Sequence, residues 1–449
     1  MIKDMTKGNP TKLILLFSLP VLIGNVFQQI YSMVDTIIVG RYIGIEAFAA
    51  VGVTGPLNYL TNGLIVGLTS GFAVLVSQKF GAKKDDEVRR AVASAITLSI
   101  ISMIIITVVS VFLATPMLRM INTPENIIKY SNTYITIIFA GSGAVIVYNL
   151  ATSILRALGD SRTPLYFLII SSFLNVFLDI VFIVNFKMGV EGAAYATIIS
   201  QGFSAILCLI YAYRKYEILR LKKEDFKIGR KFYKRHLNVA VPMALQFSIT
   251  AIGIIIIQGA LNSFGSDTIA SYTAASKVLQ LAMQPAMTLG ITMATYVGQN
   301  LGAKDYIRIK DGVKKCVNIS IITSIIAGGI LILGAEYFVK LFIENPDKEI
   351  IVKSKECLIY AGIFFIPLGL IFVYRNALQG MGESFVPMMA GVYELVARSI
   401  VAFTLPKFIG YTGICISDPI AWVAAFVPLI YTYHKKINDL VKVKWYNYF

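Results

Sequence analysis

Apolar residues are arranged along this chain in long runs that are separated by short polar stretches. Twelve runs have the length of a membrane-crossing helix, at about 13–38, 48–77, 91–114, 130–154, 164–186, 190–213, 237–261, 269–298, 316–336, 356–379, 386–406 and 411–433. An α-helix needs about twenty apolar residues to cross a bilayer, whereas a transmembrane β-strand alternates polar and apolar residues over about ten. The pattern therefore predicts an all-α polytopic membrane protein with twelve transmembrane helices.

Composition and charge placement agree with this prediction. Apolar residues make up 56% of the chain and charged residues 15%, well below the quarter or so that is typical of soluble domains. The net charge of +16 would suit a nucleic-acid partner, but the basic residues are unevenly placed. With the N-terminus inside, 29 of the 41 Lys and Arg residues lie in inside segments and 9 in outside segments. This positive-inside bias predicts a multi-pass protein of the cell (inner) membrane, with both termini cytoplasmic and no nucleic-acid partner.

Short motifs of the first half return in the second half at nearly constant distance. VSQKFGAK (76–83) returns as VGQNLGAK (297–304), and LGDSRTP (158–164) returns as MGESFVP (381–387). Two weaker matches pair Thr123-Pro124-Glu125 with Asn345-Pro346-Asp347, and Gly189-Val190-Glu191-Gly192 with Gly410-Tyr411-Thr412-Gly413. Each half holds six spans, which predicts two parallel six-helix repeats with a substrate path of the kind transporters use. The predicted organisation is an N-terminal lobe, a basic cytoplasmic linker and a C-terminal lobe, at 1–213, 214–236 and 237–449.

Two carboxylates lie within apolar spans of the first lobe. Asp179 ends a stripe in which Ser171, Asn175 and Asp179 follow at four-residue spacing, and Asp35 shares a helix face with Gln28. A charged group at the centre of a bilayer helix costs about 3 kcal/mol, and lipid cannot satisfy polar side chains. We therefore expect the stripes to face a polar cavity in which Asp35 and Asp179 bind a proton or a sodium ion. The alternative is that each carboxylate is structural and hydrogen-bonded to a neighbour.

The second lobe carries a different set of buried charges. Its first span, 237–261, has no acidic residue, while Lys277, Arg375, Glu394 and Arg398 all fall within spans. Glu394 and Arg398 are four residues apart on one helix and are expected to pair. A structural ion pair and a substrate contact are both open for this group.

Three smaller features add to the picture. The glycines of GLIVGLTSG (63–71) share one helix face, which favours close contact with another helix. Pro20 lacks a backbone N–H, so the first span either bends there as part of its function or carries a static kink. Cys208, Cys316, Cys357 and Cys415 are far apart in the sequence, without metal or redox spacing, and are expected to be small buried thiols. No cofactor and no catalytic residue is predicted.

The combined pattern resembles a known transporter family. The first span with its flank, LPVLIGNVFQQIYSMVDTIIVGRYIG, the two Gln-x-x-Gly-Ala-Lys loops and LRALGDSRTP are similar to the multidrug and toxic compound extrusion (MATE) transporters, over essentially the whole chain. They are closest to the prokaryotic branch called DinF-like. The resemblance implies a cation-coupling cluster and a bend near Pro20, with the cluster formed by Asp35, Tyr134, Asn175, Asp179 and Thr197.

The resemblance also implies a function. It implies a monomeric secondary active transporter in the lipid bilayer that exports cationic or amphipathic organic compounds by alternating access, coupled to inward proton or sodium flow. NorM-like members carry carboxylates on helices seven and ten that this chain lacks, so no cation site of that kind is expected in the second lobe.

Two other functions stay open at this stage. A flippase for lipid-linked saccharide precursors would be expected to carry more than twelve spans or a cationic cavity suited to pyrophosphate, and Lys277, Arg375 and Arg398 are candidates for such a cavity. A membrane-embedded enzyme would need a nucleophile, a metal set or paired acids at an interface, and neither histidine nor cysteine is placed to supply one.

Overall fold

The computed structural model describes residues 3–261, 264–342 and 347–446, and all regular elements of this part are helical. The α-helices are α1 (Pro10–Tyr42), α2 (Ile45–Val53), α3 (Gly55–Gly81), α4 (Asp85–Met120), α5 (Glu125–Ala140), α6 (Ser142–Ala157), α7 (Arg162–Asp179), α8 (Val190–Lys215), α9 (Arg230–Leu261), α10 (Ser266–Ala282), α11 (Gln284–Gly302), α12 (Tyr306–Phe342), α13 (Lys348–Ile363), α14 (Phe365–Gly380), α15 (Phe385–Thr404), α16 (Pro406–Ile409), α17 (Tyr411–Cys415) and α18 (Ser417–Tyr446). A π-helical turn, Ile180–Asn185, continues α7, and two 3-10 turns, Glu217–Leu219 and Lys223–Phe226, follow α8.

The predicted spans correspond to these helices. Among the described residues, nine helical segments are long and apolar enough to cross a membrane. Two bent pairs, α5 with α6 at 46° and α13 with α14 at 52°, raise the number to eleven when each pair counts as one span. The remaining predicted span, 269–298, is covered by α10 and α11, which adjoin at Met283. The all-α polytopic fold is confirmed, and the helices run beyond the predicted limits because they continue past the apolar segment into polar flanks.

The described chain forms two compact units. The first contains Leu19–Phe247 together with Lys3 and Asp4, and the second contains Met5–Ser18 and the described residues from Ser248 onward. Helix α1 is therefore divided between the units one residue before Leu19, close to Pro20, and α9 is divided after Phe247. The lobe boundaries 1–213 and 237–449 stay a prediction from the sequence repeat.

The repeated motifs adopt the same local backbone. Lys83 lies two residues after the end of α3, and Lys304 lies two residues after the end of α11. Both residues have a left-handed backbone conformation, with φ of 56° and 57°. The turns close alike, since the N–H of Ala82 donates to Gln78 O at 3.1 Å and that of Ala303 donates to Gln299 O at 3.0 Å. Gly189 and Gly410 also match, with φ of 64° and 62°. The sequence repeat is therefore a structural repeat at these turns. Asn345 and Pro346, from the third motif pair, lie outside the described residues.

The glycine face of α3 packs closely on the part of α9 that belongs to the first unit. A Cβ added to Gly67 would lie 2.5 Å from the Cα of Ala244, and one added to Gly71 would collide with Ala240. Such distances leave no room for a side chain, so the predicted close helix contact is confirmed.

The reading of the cysteines was wrong for two of the four. Cys357 in α13 and Cys415 at the end of α17 form a disulfide, with Cα atoms 4.7 Å apart and a sequence separation of 58. The packing of α13 against α17 brings these positions together, and sequence spacing cannot report such a contact. Cys208 and Cys316 are free and buried, as expected.

Candidate functional site

The polar stripe of α7 lies in the interior of the first unit. Asn175 and Asp179 are fully buried, and Ser171 is nearly so. The α-helical hydrogen-bond pattern ends at Asp179 and widens into the π-helical turn Ile180–Asn185. Such turns are uncommon and occur often at functional sites. The burial shows that Asp179 does not face lipid.

Helix α1 brings a second carboxyl group to the same place. The side chains of Asp35 and Asp179 are within hydrogen-bonding distance of each other. Two ionised carboxylates would repel each other there, so the contact requires a proton or a cation between them. One oxygen of each group, Oδ1, is buried without a hydrogen-bond partner. The pair therefore has oxygen atoms available for exchangeable binding of a proton or a hard monovalent cation.

Asn175 links the carboxyl pair to α8. With its amide oriented to satisfy both neighbours, Nδ2 donates to Asp179 Oδ2 at 3.1 Å and Oδ1 accepts from the Thr197 backbone N–H at 3.2 Å. The Thr197 hydroxyl donates to Ala193 O at 3.0 Å and is also within hydrogen-bonding distance of Tyr31. These contacts fix the position of Asp179 and leave one of its oxygens unpaired.

Two tyrosines complete the cluster. Tyr134 of α5 is 5% exposed, packs in the apolar core of the first unit, and interacts electrostatically with both carboxyl groups. Tyr31 of α1 also interacts electrostatically with both carboxyl groups. Sequence reasoning missed Tyr31, although it lies three residues after Gln28 and four before Asp35 and therefore on their helix face. The signal was present, but the aromatic ring was counted with the apolar residues.

A narrow polar cavity adjoins this cluster within the first unit. Its walls come from four helices, α1, α6, α7 and α8, and are formed by Gln28, Tyr31, Tyr148, Leu168, Ser171, Ser172, Ser200, Gln201 and Ser204. Tyr31 is common to the cavity and the carboxyl cluster. Gln28 and Ser171, from the two stripes described above, line this cavity, but neither Asp35 nor Asp179 is among its lining residues.

Helix α1 runs without interruption through Pro20. Pro20 has no N–H to donate to the carbonyl of Leu16, so this turn of the helix lacks one of its hydrogen bonds. Asp35 lies fifteen residues further along the same helix, in the first unit. Pro20 and Asp35 therefore lie on one continuous helix.

The charged residues of the second unit form a connected network. Glu394 accepts from Arg375 Nη2 at 3.2 Å and from Arg398 Nη2 at 2.8 Å. Arg398 Nε donates to Asp418 Oδ1 at 2.7 Å, and the Tyr272 hydroxyl donates to Asp418 Oδ2 at 3.3 Å. The predicted pairing of Glu394 with Arg398 is confirmed. Sequence reasoning did not include Asp418 and Tyr272 in this group, because α18 meets α15 only in the folded chain and Tyr272 joins the network through Asp418.

Lys277 is not among the contacts of that network. It lies on α10 with its side chain exposed.

The described part of the chain holds no group of three or more His, Cys, Asp or Glu side chains placed to bind one metal ion.

Comparisons with known proteins agree with this arrangement. The model of the family described as MatE matches residues 20–181 and 239–404. "Probable multidrug resistance protein YoeA" of Bacillus subtilis (strain 168) is 27% identical over 94% of this chain and 92% of its own length, and "Probable multidrug resistance protein YpnP" of the same organism is 30% identical over 84% of each chain.

A solved structure is similar over nearly the whole chain. It is described as "Outward-facing conformation of a multidrug resistance MATE family transporter of the MOP superfamily", and it superposes with a TM-score of 0.91 at 22% identity, covering 97% of this chain and 98% of that one. At this identity the likeness shows the fold, and it agrees with the twelve-helix arrangement.

Proposed function

The chain belongs to the MatE family of multidrug efflux transporters, and on this premise we propose that it exports cationic or amphipathic organic compounds in exchange for protons or sodium ions. Its homologues are transporters and not enzymes, which removes the membrane-embedded enzyme from consideration. The protein is accordingly an integral membrane protein that acts on small organic substrates. We also propose that the protein lies in the cell (inner) membrane with both termini in the cytoplasm, and that it acts as a monomer.

The observation that carries the proposal is the contact between Asp35, which is half-buried, and Asp179, which is fully buried. Two carboxyl groups within hydrogen-bonding distance are either both ionised, in which case they repel each other, or neutralised by a proton or a sodium ion. The difference in free energy between these states is large in a low-dielectric interior. Binding of the ion therefore shifts the balance between conformations of the first unit, and this is what coupling requires.

The neighbouring groups have distinct roles in this proposal. Asn175 and Thr197 hold Asp179 in place, and Tyr134 excludes water from one side of the pair. The cavity beside Tyr31 offers serine and glutamine side chains to a substrate, together with aromatic surface from Tyr31 and Tyr148. Organic cations are recognised by aromatic faces and by polar groups of this kind.

Helix α1 connects the ion to the cavity in this scheme. It carries both Gln28, which lines the cavity, and Asp35, which binds the ion. The missing hydrogen bond at Pro20 lowers the cost of bending the helix at that turn. We propose that neutralisation of Asp35 favours the bent form and that loss of the ion favours the straight form.

The flippase alternative has less support. It depended on a cationic cavity suited to a pyrophosphate group, but Arg375 and Arg398 are paired with Glu394 and Asp418. A guanidinium group with a carboxylate partner offers no net charge to an anionic lipid. The remaining candidate, Lys277, is a single cation.

The test of the proposal is transport in proteoliposomes with separately imposed pH and sodium gradients, followed with a fluorescent organic cation. We expect that one gradient drives substrate movement and that the other has no effect of its own. Movement that ignores both gradients would contradict coupled transport. Movement of a lipid-linked saccharide without an ion gradient would support the flippase instead.

A further inference from the structure

The charges of the second unit are arranged around one guanidinium group. The Arg398 side chain is 7% exposed and lies between two carboxylates, with Nη2 at 2.8 Å from Glu394 Oε1 and Nε at 2.7 Å from Asp418 Oδ1. The other oxygen of each carboxylate is also engaged, by Arg375 at 3.2 Å and by the Tyr272 hydroxyl at 3.3 Å. Two acids from different helices therefore converge on a single cation, with a tyrosine hydroxyl beside them.

The surrounding backbone leaves space for this group. Gly253 of α9 faces Arg398, and a Cβ at that position would collide with Nη1. A glycine here costs helix stability relative to alanine, so its presence agrees with a requirement for room at the guanidinium. The space is shaped for a planar cation with hydrogen-bond donors on two edges, as a guanidinium is.

The same kind of chemistry appears in the first unit with one difference. There, Asp35 and Asp179 approach each other without a basic side chain between them, and their Oδ1 atoms are unpaired. In the second unit the Arg398 guanidinium group lies between the two carboxylates and supplies the compensating positive charge. Two carboxyl groups in the interior need a proton or a cation to neutralise them in either case, because uncompensated charges are costly there.

We propose that Glu394, Asp418 and Tyr272 form a cation site in the second unit and that the Arg398 guanidinium is its permanent, tethered occupant. The second unit therefore needs no free ion to neutralise its acids. Without the Arg398 side chain, the site accepts a guanidinium-type cation from solution. The proposal concerns binding in the second unit alone and does not rest on the transport function.

The test is chemical rescue of Arg398→Ala with guanidinium or methylguanidinium chloride at millimolar concentration. Thermal unfolding of the purified, detergent-solubilised full chain is measured by the soluble fraction after heating. We expect a Tm below that of the wild type, restored by guanidinium in a saturable manner. Sodium chloride at equal ionic strength and urea at equal concentration should give clearly less recovery, because neither supplies a planar, bidentate cation.

Two control variants make the result specific. Arg375→Ala removes a guanidinium that contacts only one of the two carboxylates, so guanidinium should not restore it in the same manner. Arg398→Ala with Asp418→Asn removes one acid as well as the cation, and should be more stable than Arg398→Ala and insensitive to guanidinium. If Arg398→Ala cannot be purified, the same heating assay is run on the protein in its native membranes.

Three outcomes would overturn the proposal. These are a failure of guanidinium to raise the Tm of Arg398→Ala, equal recovery with sodium chloride, and equal recovery in Arg375→Ala. Each would mean that Arg398 is one member of a structural ion-pair network and not the occupant of a site.

Discussion

Removal of the Glu394 charge tests how the second-unit network is balanced. Glu394 is 8% exposed and accepts hydrogen bonds from Arg375 and Arg398. In Glu394→Gln, Arg398 keeps its ion pair with Asp418, at 2.7 Å. Arg375 loses the carboxylate that it contacts. The Nε atom of Arg375 is already buried without a hydrogen-bond partner. The variant therefore leaves one uncompensated buried cation.

The size of the effect follows from these contacts. Breaking a buried ion pair by removing one partner costs about 3–5 kcal/mol. The glutamine oxygen still accepts one hydrogen bond, so we expect the lower end, about 3 kcal/mol. For a chain of 449 residues, a loss of this size corresponds to a fall in Tm of roughly 3 °C. Glu383→Gln is the matched control, since Glu383 pairs with Lys436 at 2.8 Å and both side chains are about one third exposed. It should cost at most about 1 kcal/mol.

A second substitution decides between this explanation and a simple loss of packing. Glu394→Gln with Arg375→Gln removes one charge of each sign and keeps the Arg398–Asp418 pair, so it should be more stable than Glu394→Gln alone by about 1–2 kcal/mol. Glu394→Gln with Arg398→Gln leaves both Arg375 and Asp418 without a charged partner and should show no such gain. The assay is the soluble fraction after heating, in one detergent for all variants. A first double variant no more stable than Glu394→Gln would refute the charge-balance reasoning.

Two further substitutions test other parts of the fold. Gly67→Val should sharply reduce the yield of folded protein, because α3 contacts the Ala244 backbone at Gly67. The yield is measured by size-exclusion chromatography. Gly52→Val is the control, since no atom lies within 4 Å of a Cβ added there. Tyr216→Phe should lower the free energy of unfolding by about 2 kcal/mol, since the Tyr216 hydroxyl donates to Asp160. Burial and the Asp160 carboxylate both raise the pKa of Tyr216, so this loss should not change between pH 6 and 9; a loss that disappears at pH 9 would contradict this.

Much of the fold could be predicted because membrane helices have strong sequence signals. The apolar runs gave the positions of the spans, and the motif at 76–83 and its return at 297–304 identified a repeat whose turns share the backbone conformation of Lys83 and Lys304. The division of α1 at Ser18 and of α9 at Phe247 between compact units was not predictable. It depends on which helices pack together, and an apolar face does not specify its partner.

The candidate site was partly predictable for a related reason. Asp35 and Asp179 could be identified because a carboxylate within a membrane span has a high free-energy cost, and both lie in spans of the first half of the chain. Tyr31 and Tyr148 did not stand out, because an aromatic residue in a span is ordinary. Asp418 lay near a predicted span end, where a charge is unremarkable, and only its 2.7 Å contact with Arg398 shows that it belongs to the interior network.

The central claim is that Asp35 and Asp179 bind the coupling ion, and Asp179→Asn tests it most directly. The amide has nearly the shape of the carboxyl group but cannot gain or lose a charge. Wild type, Asp35→Asn, Asp179→Asn and Glu394→Gln are reconstituted into proteoliposomes at equal orientation and density, and uptake of an organic cation is measured with and without the driving gradient.

We predict that the gradient accelerates uptake in wild type and that this acceleration is lost in both aspartate variants. Glu394→Gln should keep its response to the gradient even if its stability is lower. A correctly inserted Asp179→Asn protein that still responds to the gradient as the wild type does would contradict the assignment of ion coupling to this pair.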